Sequence, residues 1–215
     1  MTVAAGIDAC RGGWVAVVLE AGQFADARFA ATFMELLSVV EDAEAVGVDI
    51  PIGLPSQGVR AAEAAARAFV GPRRNSVFPT PPRATLMAAT YADARQVLPS
   101  LSAQSFALRK RILEVEACLE DRVFEVHPEV SFAALAGRHL NYSKGSWNGQ
   151  MERRRLLAAA SIDLPDDLPT GQAAPDDVLD AAIAAWSANR KTRSEAATLP
   201  ADPPLQNGRR LAIWY

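Results

Sequence analysis

Two acids interrupt apolar runs in which a charge is hard to place. Asp8 closes the small, apolar stretch of residues 2–10, just before Gly12-Gly13. Asp49 lies within Val46-Gly47-Val48-Asp49-Ile50-Pro51. A carboxylate at the end of a buried strand is costly unless it is paired, solvated or bound to a cation. Two such groups brought together repel, and a divalent cation relieves that repulsion. Taken singly, each acid also has a plain structural reading. Asp8 suits a turn before the glycine pair, and Asp49 suits an acceptor for the N–H groups of the next turn. The pair is therefore a better argument for metal chemistry than either residue alone.

Later acids could complete such a centre. Pro175-Asp176-Asp177-Val178-Leu179-Asp180 opens a helical pattern. Proline at the first position and acids in the first turn are ordinary start signals, so Asp176 needs no further role. Asp177 and Asp180 are three apart and share a face. Ala181, Ala184 and Ala185 behind them are small enough to let this helix approach a sheet closely. Asp177 is equally well read as a cap. Glu125 and His127 share one face of a strand by its period of two. Glu125 is a third candidate. His127 reads first as a structural hydrogen-bonder, and otherwise as an acid/base or phosphate contact.

Basic groups lie elsewhere. Arg73, Arg74 and Arg83, with Ser76, fall in a proline-rich stretch at 71–83. Guanidinium forks there suit phosphate. Lys144, with Arg153 to Arg155, forms a second basic set. Both sets also suit a solvated surface.

The elements that must position these groups follow from periodicity. Residues 2–10, 14–19 and 24–31 read as three strands with short links, hence an antiparallel meander. Thr32 and Glu35 have capping-box spacing ahead of a helix with Phe33, Leu36, Leu37 and Val40 on one face. The apolar run 45–50 reads as a central parallel strand. Helices are expected at 60–70, 102–120, 151–160 and 175–190, with a start near 130. A further strand is expected at 123–126, loops at 72–83 and 139–149, and a linker at 162–174. Residues 211–215 could dock as an edge strand. This order predicts an α/β protein with a mixed five-stranded sheet, a three-strand antiparallel meander plus parallel strands, and helices on both faces. A fourth strand placed beside the first brings Asp8 and Asp49 to the same sheet edge.

Composition narrows the classes. Half of the 215 residues are hydrophobic and 22% are charged, a balance that gives a core and argues against a disordered chain. The length suits a single domain over 1–215, elaborated by the 71–83 loop and helical insertions. The net charge of −3 argues against bulk attraction to nucleic acid, so a polyanion needs a local basic patch. Cys10 and Cys118 lack CxxC spacing, which argues against a disulfide framework and a zinc knuckle. No apolar run is long enough to span a bilayer, and Met1 leads straight into a strand pattern. A cytoplasmic protein without membrane partners is expected. Homodimerisation is left open.

Several segments together resemble a known family. They are Gly6-Ile7-Asp8 with Gly13-Trp14, Val48-Asp49-Ile50-Pro51-Ile52-Gly53-Leu54, and Arg60 with Glu63 and Arg67. The others are Ser76-Val77-Phe78 with Pro81-Pro82-Arg83, Glu125-Val126-His127-Pro128-Glu129, and Asp176 through Ala181. In this order, over nearly the whole chain, they look like the family described as predicted RNase H-like nucleases (domain of unknown function 429). The resemblance implies an RNase H-like sheet and a nuclease activity using two Mg²⁺ or Mn²⁺ ions. It places the metal-holding acids at Asp8, Asp49 and Asp177 or Asp180, the last two being similar to the late acidic pair of RuvC-type resolvases.

The leading expectation is metal-dependent hydrolysis of a phosphodiester in nucleic acid or a small phosphate compound. Asp8, Asp49, Asp177, Asp180 and Glu125 would form the catalytic set. Arg73, Arg74, Ser76, Arg83, His127 and Lys144 would hold substrate. Two rivals stand beside it. Asp8 through Gly13 also resembles the first phosphate loop of actin-like kinases, which implies nucleotide binding or phosphoryl transfer. A non-catalytic RNase H-like binding module would use the same acids for structure.

Overall fold

Three strands with two-residue links open the fold. In the computed structural model, which describes residues 1–206 and 208–215, they are β1 (Val3–Cys10), β2 (Gly13–Glu20) and β3 (Gln23–Ala30). Both pairings are antiparallel. Gly12 and Gly22 sit in the links at φ 83°, a conformation that glycine adopts without strain. Helix α1 (Phe33–Val39) follows with the expected capping box. Thr32 accepts from the Glu35 N–H, and Glu35 accepts from the Thr32 N–H.

The chain then returns as β4 (Ala45–Val48), parallel to β1. A long helical excursion separates it from β5 (Val123–Glu125), which pairs parallel to β4. That excursion holds α2 (Ala61–Val70), a 3-10 turn (Gly71–Ser76), α3 (Arg83–Leu86), α4 (Tyr91–Val97), α5 (Ala103–Ala107) and α6 (Arg109–Ala117). Helices α7 (Pro128–Ala136), α8 (Trp147–Ala159) and α9 (Pro175–Thr192) follow β5. The sheet order is β3-β2-β1-β4-β5. The protein is thus α/β, with the mixed five-stranded sheet and sequence of directions expected from the pattern.

Side-chain alternation divides two cores across the sheet. Ile7, Trp14, Ala16, Val46 and Val48 point toward α1 and α6, packing with Phe33, Leu36 and Ile112. Val15, Val17 and Leu19 point the other way, toward Phe132, Leu157 and Ile183 of α7, α8 and α9. Helix α9 crosses β1, β2 and β4 at unusually close range. A Cβ on Gly6 would lie 2.0 Å from the Ala185 nitrogen and 2.1 Å from the Ala181 oxygen. A Cβ on Gly47 would lie 2.8 Å from the Ala184 oxygen. Glycine facing alanine is what sets this spacing.

Some boundaries differ from the sequence reading. β4 ends at Val48, not Ile50, because Pro51 has no N–H to continue the ladder. The single helix expected over 102–120 is broken at Leu108. Phe106 of α5 packs with Ala94 and Leu101, whereas Ile112 and Val115 of α6 join the main core, so each half follows a different apolar partner. The 71–83 stretch begins as a 3-10 turn with Pro72 at its start. The expected loop before α8 ends earlier, because Ser146 caps that helix by accepting from the Gly149 N–H. The tail does not extend the main sheet as a regular strand. β6 (Thr198–Leu199) pairs with β9 (Ile213–Trp214), beyond the short hairpin of β7 (Leu205–Gln206) and β8 (Arg209–Arg210). At the sheet edge a bridge joins Trp214 to Val126, the Trp214 ring packs on Phe124, and Arg209 donates to the Val123 carbonyl. Among the described residues, no helix is long and apolar enough to cross a membrane.

Candidate metal centre

The register of β1 and β4 brings the first two acids side by side. Ile7 pairs with Val48, so Asp8 and Asp49 are the next residues along two parallel strands. The Asp49 N–H still donates to the Ile7 carbonyl at 3.1 Å. Asp180 reaches the same point from α9, whose close seat on Gly6 and Gly47 carries its first turns over the strand ends. Asp8, Asp49 and Asp180 each offer an oxygen, and these oxygens all lie within 4.8 Å of one another.

The electrostatics of this trio are adverse. Burial pushes the Asp8 carboxyl well above the usual carboxylate range, and Asp49 and Asp180 push it further. Burial raises Asp49 to about 7, against the pull of Lys144. Burial raises Asp180 to about 7 as well, again opposed by Lys144. The Lys144 Nζ lies 2.6 Å from Asp180 and 3.8 Å from Asp176. One ammonium therefore faces three clustered acids. Hard carboxylate oxygens this close are the donor set that Mg²⁺ and Mn²⁺ favour. Asp8, Asp49 and Asp180 fit a divalent cation on charge, ligand type and spacing.

The other candidate acids sit differently. Asp177 lines the cleft, but its carboxylate accepts from the Ala174 N–H at 2.8 Å and closes the start of α9. Glu125 is buried and fully engaged. Its two oxygens accept from Arg60 at 2.7 and 2.8 Å, and one also accepts from the Ile52 N–H at 2.7 Å. Arg60 in turn donates to Glu63 at 2.6 Å, and Thr80 donates to the same Glu63 oxygen. This network ties β5 and α2 to the turn that follows Asp49. Arg60→Ala would strand two buried carboxylates and is expected to cost about 3–5 kcal/mol. Urea denaturation checks this. A loss under about 1 kcal/mol would mean that the network carries no such strain.

The trio lies in a cleft of about 790 Å³. Arg73, Ser76, His127 and Lys144, four of the residues expected to hold substrate, line it. Arg74 is exposed and is not among the lining residues. Arg83 is not brought there either. It pairs with Glu116 on the surface, since α3 starts at Arg83 and turns it away toward α6. His127 Nε2 lies 3.3 Å from the Ser76 carbonyl, which can only accept, so Nε2 carries the hydrogen. Nδ1 is buried without a partner. Burial lowers the His127 pKa, which keeps the ring neutral at pH 7.

Among the lining residues that the sequence reading did not single out is a cation. Arg111 of α6 sits over the Trp14 ring at 4.8 Å and donates to the Cys10 carbonyl at 3.2 Å, beside Asp8. Its only signal was the basic run Arg109-Lys110-Arg111, which is commonplace on an exposed helix.

Fold and site together define an α/β protein with a buried acidic cluster at the carboxyl ends of two central parallel strands of a mixed sheet. The chain belongs to the family described as proteins of unknown function, DUF429, whose model it matches over residues 6–205. No curated protein and no solved structure matches the chain significantly.

Proposed function

We propose that the protein is a divalent-metal-dependent phosphodiester hydrolase, a nuclease of the RNase H-like type, using Mg²⁺ or Mn²⁺. The observation that carries this reading is the convergence of Asp8, Asp49 and Asp180 within 4.8 Å, at one end of a cleft whose other walls present cations. When bound, the metal would supply activated water and charge stabilisation at the leaving oxygen.

The chain's own residues have distinct tasks in this reading. Asp8, Asp49 and Asp180 hold the cation. Asp177 fixes the first turn of α9 and so the height of Asp180. Glu125 and Arg60 hold the turn after Asp49. Arg73 and Arg111 neutralise phosphate oxygens that do not react. Lys144 is shared between the acids and an incoming phosphate. His127 offers an unprotonated Nδ1 as an acceptor.

The test is cleavage of single- and double-stranded DNA and RNA and of nucleotides, with Mg²⁺ or Mn²⁺ occupancy measured. Asp8→Asn is expected to lower the rate by about 10³. Wild-type activity no higher than that of Asp8→Asn on every substrate would end the hydrolase reading.

A further inference from the structure

The loop that carries Lys144 into the cleft also displays two bare aromatics. Trp147 is 73% exposed and Tyr142 is 46% exposed. Among the described residues, no other aromatic is as open. An open tryptophan offers a large flat apolar ring, the surface on which a nucleic-acid base can stack. In sequence the two residues flank Ser143 and Lys144, which line the cleft, while Tyr142 itself lines a separate pocket with Asn141, Asn148 and Glu152.

The loop is held in place. The Ser146 N–H donates to the Ser143 carbonyl at 3.0 Å, and Ser146 Oγ donates to the same oxygen at 2.8 Å. The N–H groups of Asn141 and Tyr142 donate to Glu152. Arg153 donates to the Tyr142 carbonyl. Gly149 lies so close that a Cβ would meet the Ser143 oxygen at 1.8 Å. The closed turn keeps the Ser143 and Ser146 Cα atoms under about 7 Å apart, so Trp147 begins within about 11 Å of a cleft-lining residue. A fixed loop with bare rings at its ends is a preorganised surface.

Building on the hydrolase reading, we propose that Trp147 is a stacking platform for unpaired bases, and that the substrate is single-stranded nucleic acid. One phosphate lies at the acidic trio, and a neighbouring base rests on Trp147. Stacking is tolerant of base identity and supplies affinity that net charge does not. The chain's net charge of −3 fits this division of labour, since duplex binding leans on counterion release from many phosphates. Residues of α5, α6 and the 3-10 turn line the cleft, and Arg73 and Arg111 among them face the phosphates of a strand held there.

The test measures binding of a labelled twelve-residue oligo(dT) and oligo(U) with Ca²⁺, alongside cleavage with Mg²⁺ or Mn²⁺. Trp147→Ala is expected to weaken oligonucleotide binding about tenfold. It is expected to raise KM while leaving kcat near wild type, and to leave melting unchanged. Trp147→Phe is expected to restore most of the affinity. Binding of a mononucleotide, which has no neighbouring base, is expected to be insensitive to either change. Equal oligonucleotide binding by wild type and Trp147→Ala overturns the platform, even if Asp8-dependent cleavage persists. Trp147-dependent binding without Asp8-dependent cleavage keeps the platform and overturns the hydrolase. Failure of wild type to bind either oligonucleotide, or a Trp147→Ala effect seen only on self-association, overturns the platform in favour of a protein contact.

Discussion

Gly6→Ala is expected to be among the most damaging single methyls in the molecule. The new Cβ would sit 2.0 Å from the Ala185 nitrogen and 2.1 Å from the Ala181 oxygen. Both are backbone atoms of α9, so no rotamer change can yield. The helix must lift, and it covers β1, β2 and β4 at once. Overpacking a core typically costs about 1–3 kcal/mol, and a rigid backbone obstacle puts this case at or above about 3 kcal/mol. The displaced helix also carries Asp180 away from Asp8 and Asp49. Urea denaturation and Mn²⁺ calorimetry on Gly6→Ala are expected to show lower stability and weakened metal binding. Wild-type values for both would contradict the close packing described above.

Asp49→Asn is expected to have opposite effects with and without metal. Asp49 is raised to about 7 from an ordinary carboxylate value, chiefly by burial. The folded state therefore holds a proton that the unfolded chain releases. Stability of the metal-free protein should fall as pH rises from about 4 to about 7, because the folded state binds more protons across that window. Asparagine removes the cost of ionisation. In EDTA at pH 8, Asp49→Asn is expected to be more stable than wild type by about 2 kcal/mol, with little difference at pH 4. In Mn²⁺ at pH 8 the order is expected to reverse, since only wild type has the full set of acids. Thermal melts at the two pH values, with and without metal, give the four numbers. An asparagine variant that is less stable in EDTA at pH 8 would mean that Asp49 is held by structure and not strained by its neighbours.

The legible and illegible parts of the site divide by range. Asp8 and Asp49 sit at the ends of apolar runs, and strand order alone puts them together. That needed only local pattern and the habit of parallel crossovers. The choice between Asp177 and Asp180 depends on how α9 is phased over the sheet. That phase comes from Gly6 and Gly47 meeting Ala181, Ala184 and Ala185, a fit visible only once helix and sheet are docked. Asp180 then faces the strand ends, and Asp177 caps the helix. Glu125 looked available because its partner Arg60 is 65 residues away, at the start of a helix that reads as merely alanine-rich. Arg83 failed as a cleft residue for a similar reason, since Glu116 claims it across 33 residues. Long-range ion pairs leave no periodic trace. The break at Leu108 was hidden because both halves of that segment are helical, and only their packing partners differ.

The order in which the trio is joined has a consequence for synthesis. Asp8 and Asp49 emerge early, on strands that can pair as soon as they appear. Asp180 emerges much later, on the helix that packs across β1, β2 and β4. A nascent chain can therefore build most of its β-meander while lacking the third acid. It stays unable to assemble the full centre until α9 has left the ribosome and docked. For a protein proposed to cut nucleic acid, chain order therefore sets when the acidic trio can first come together.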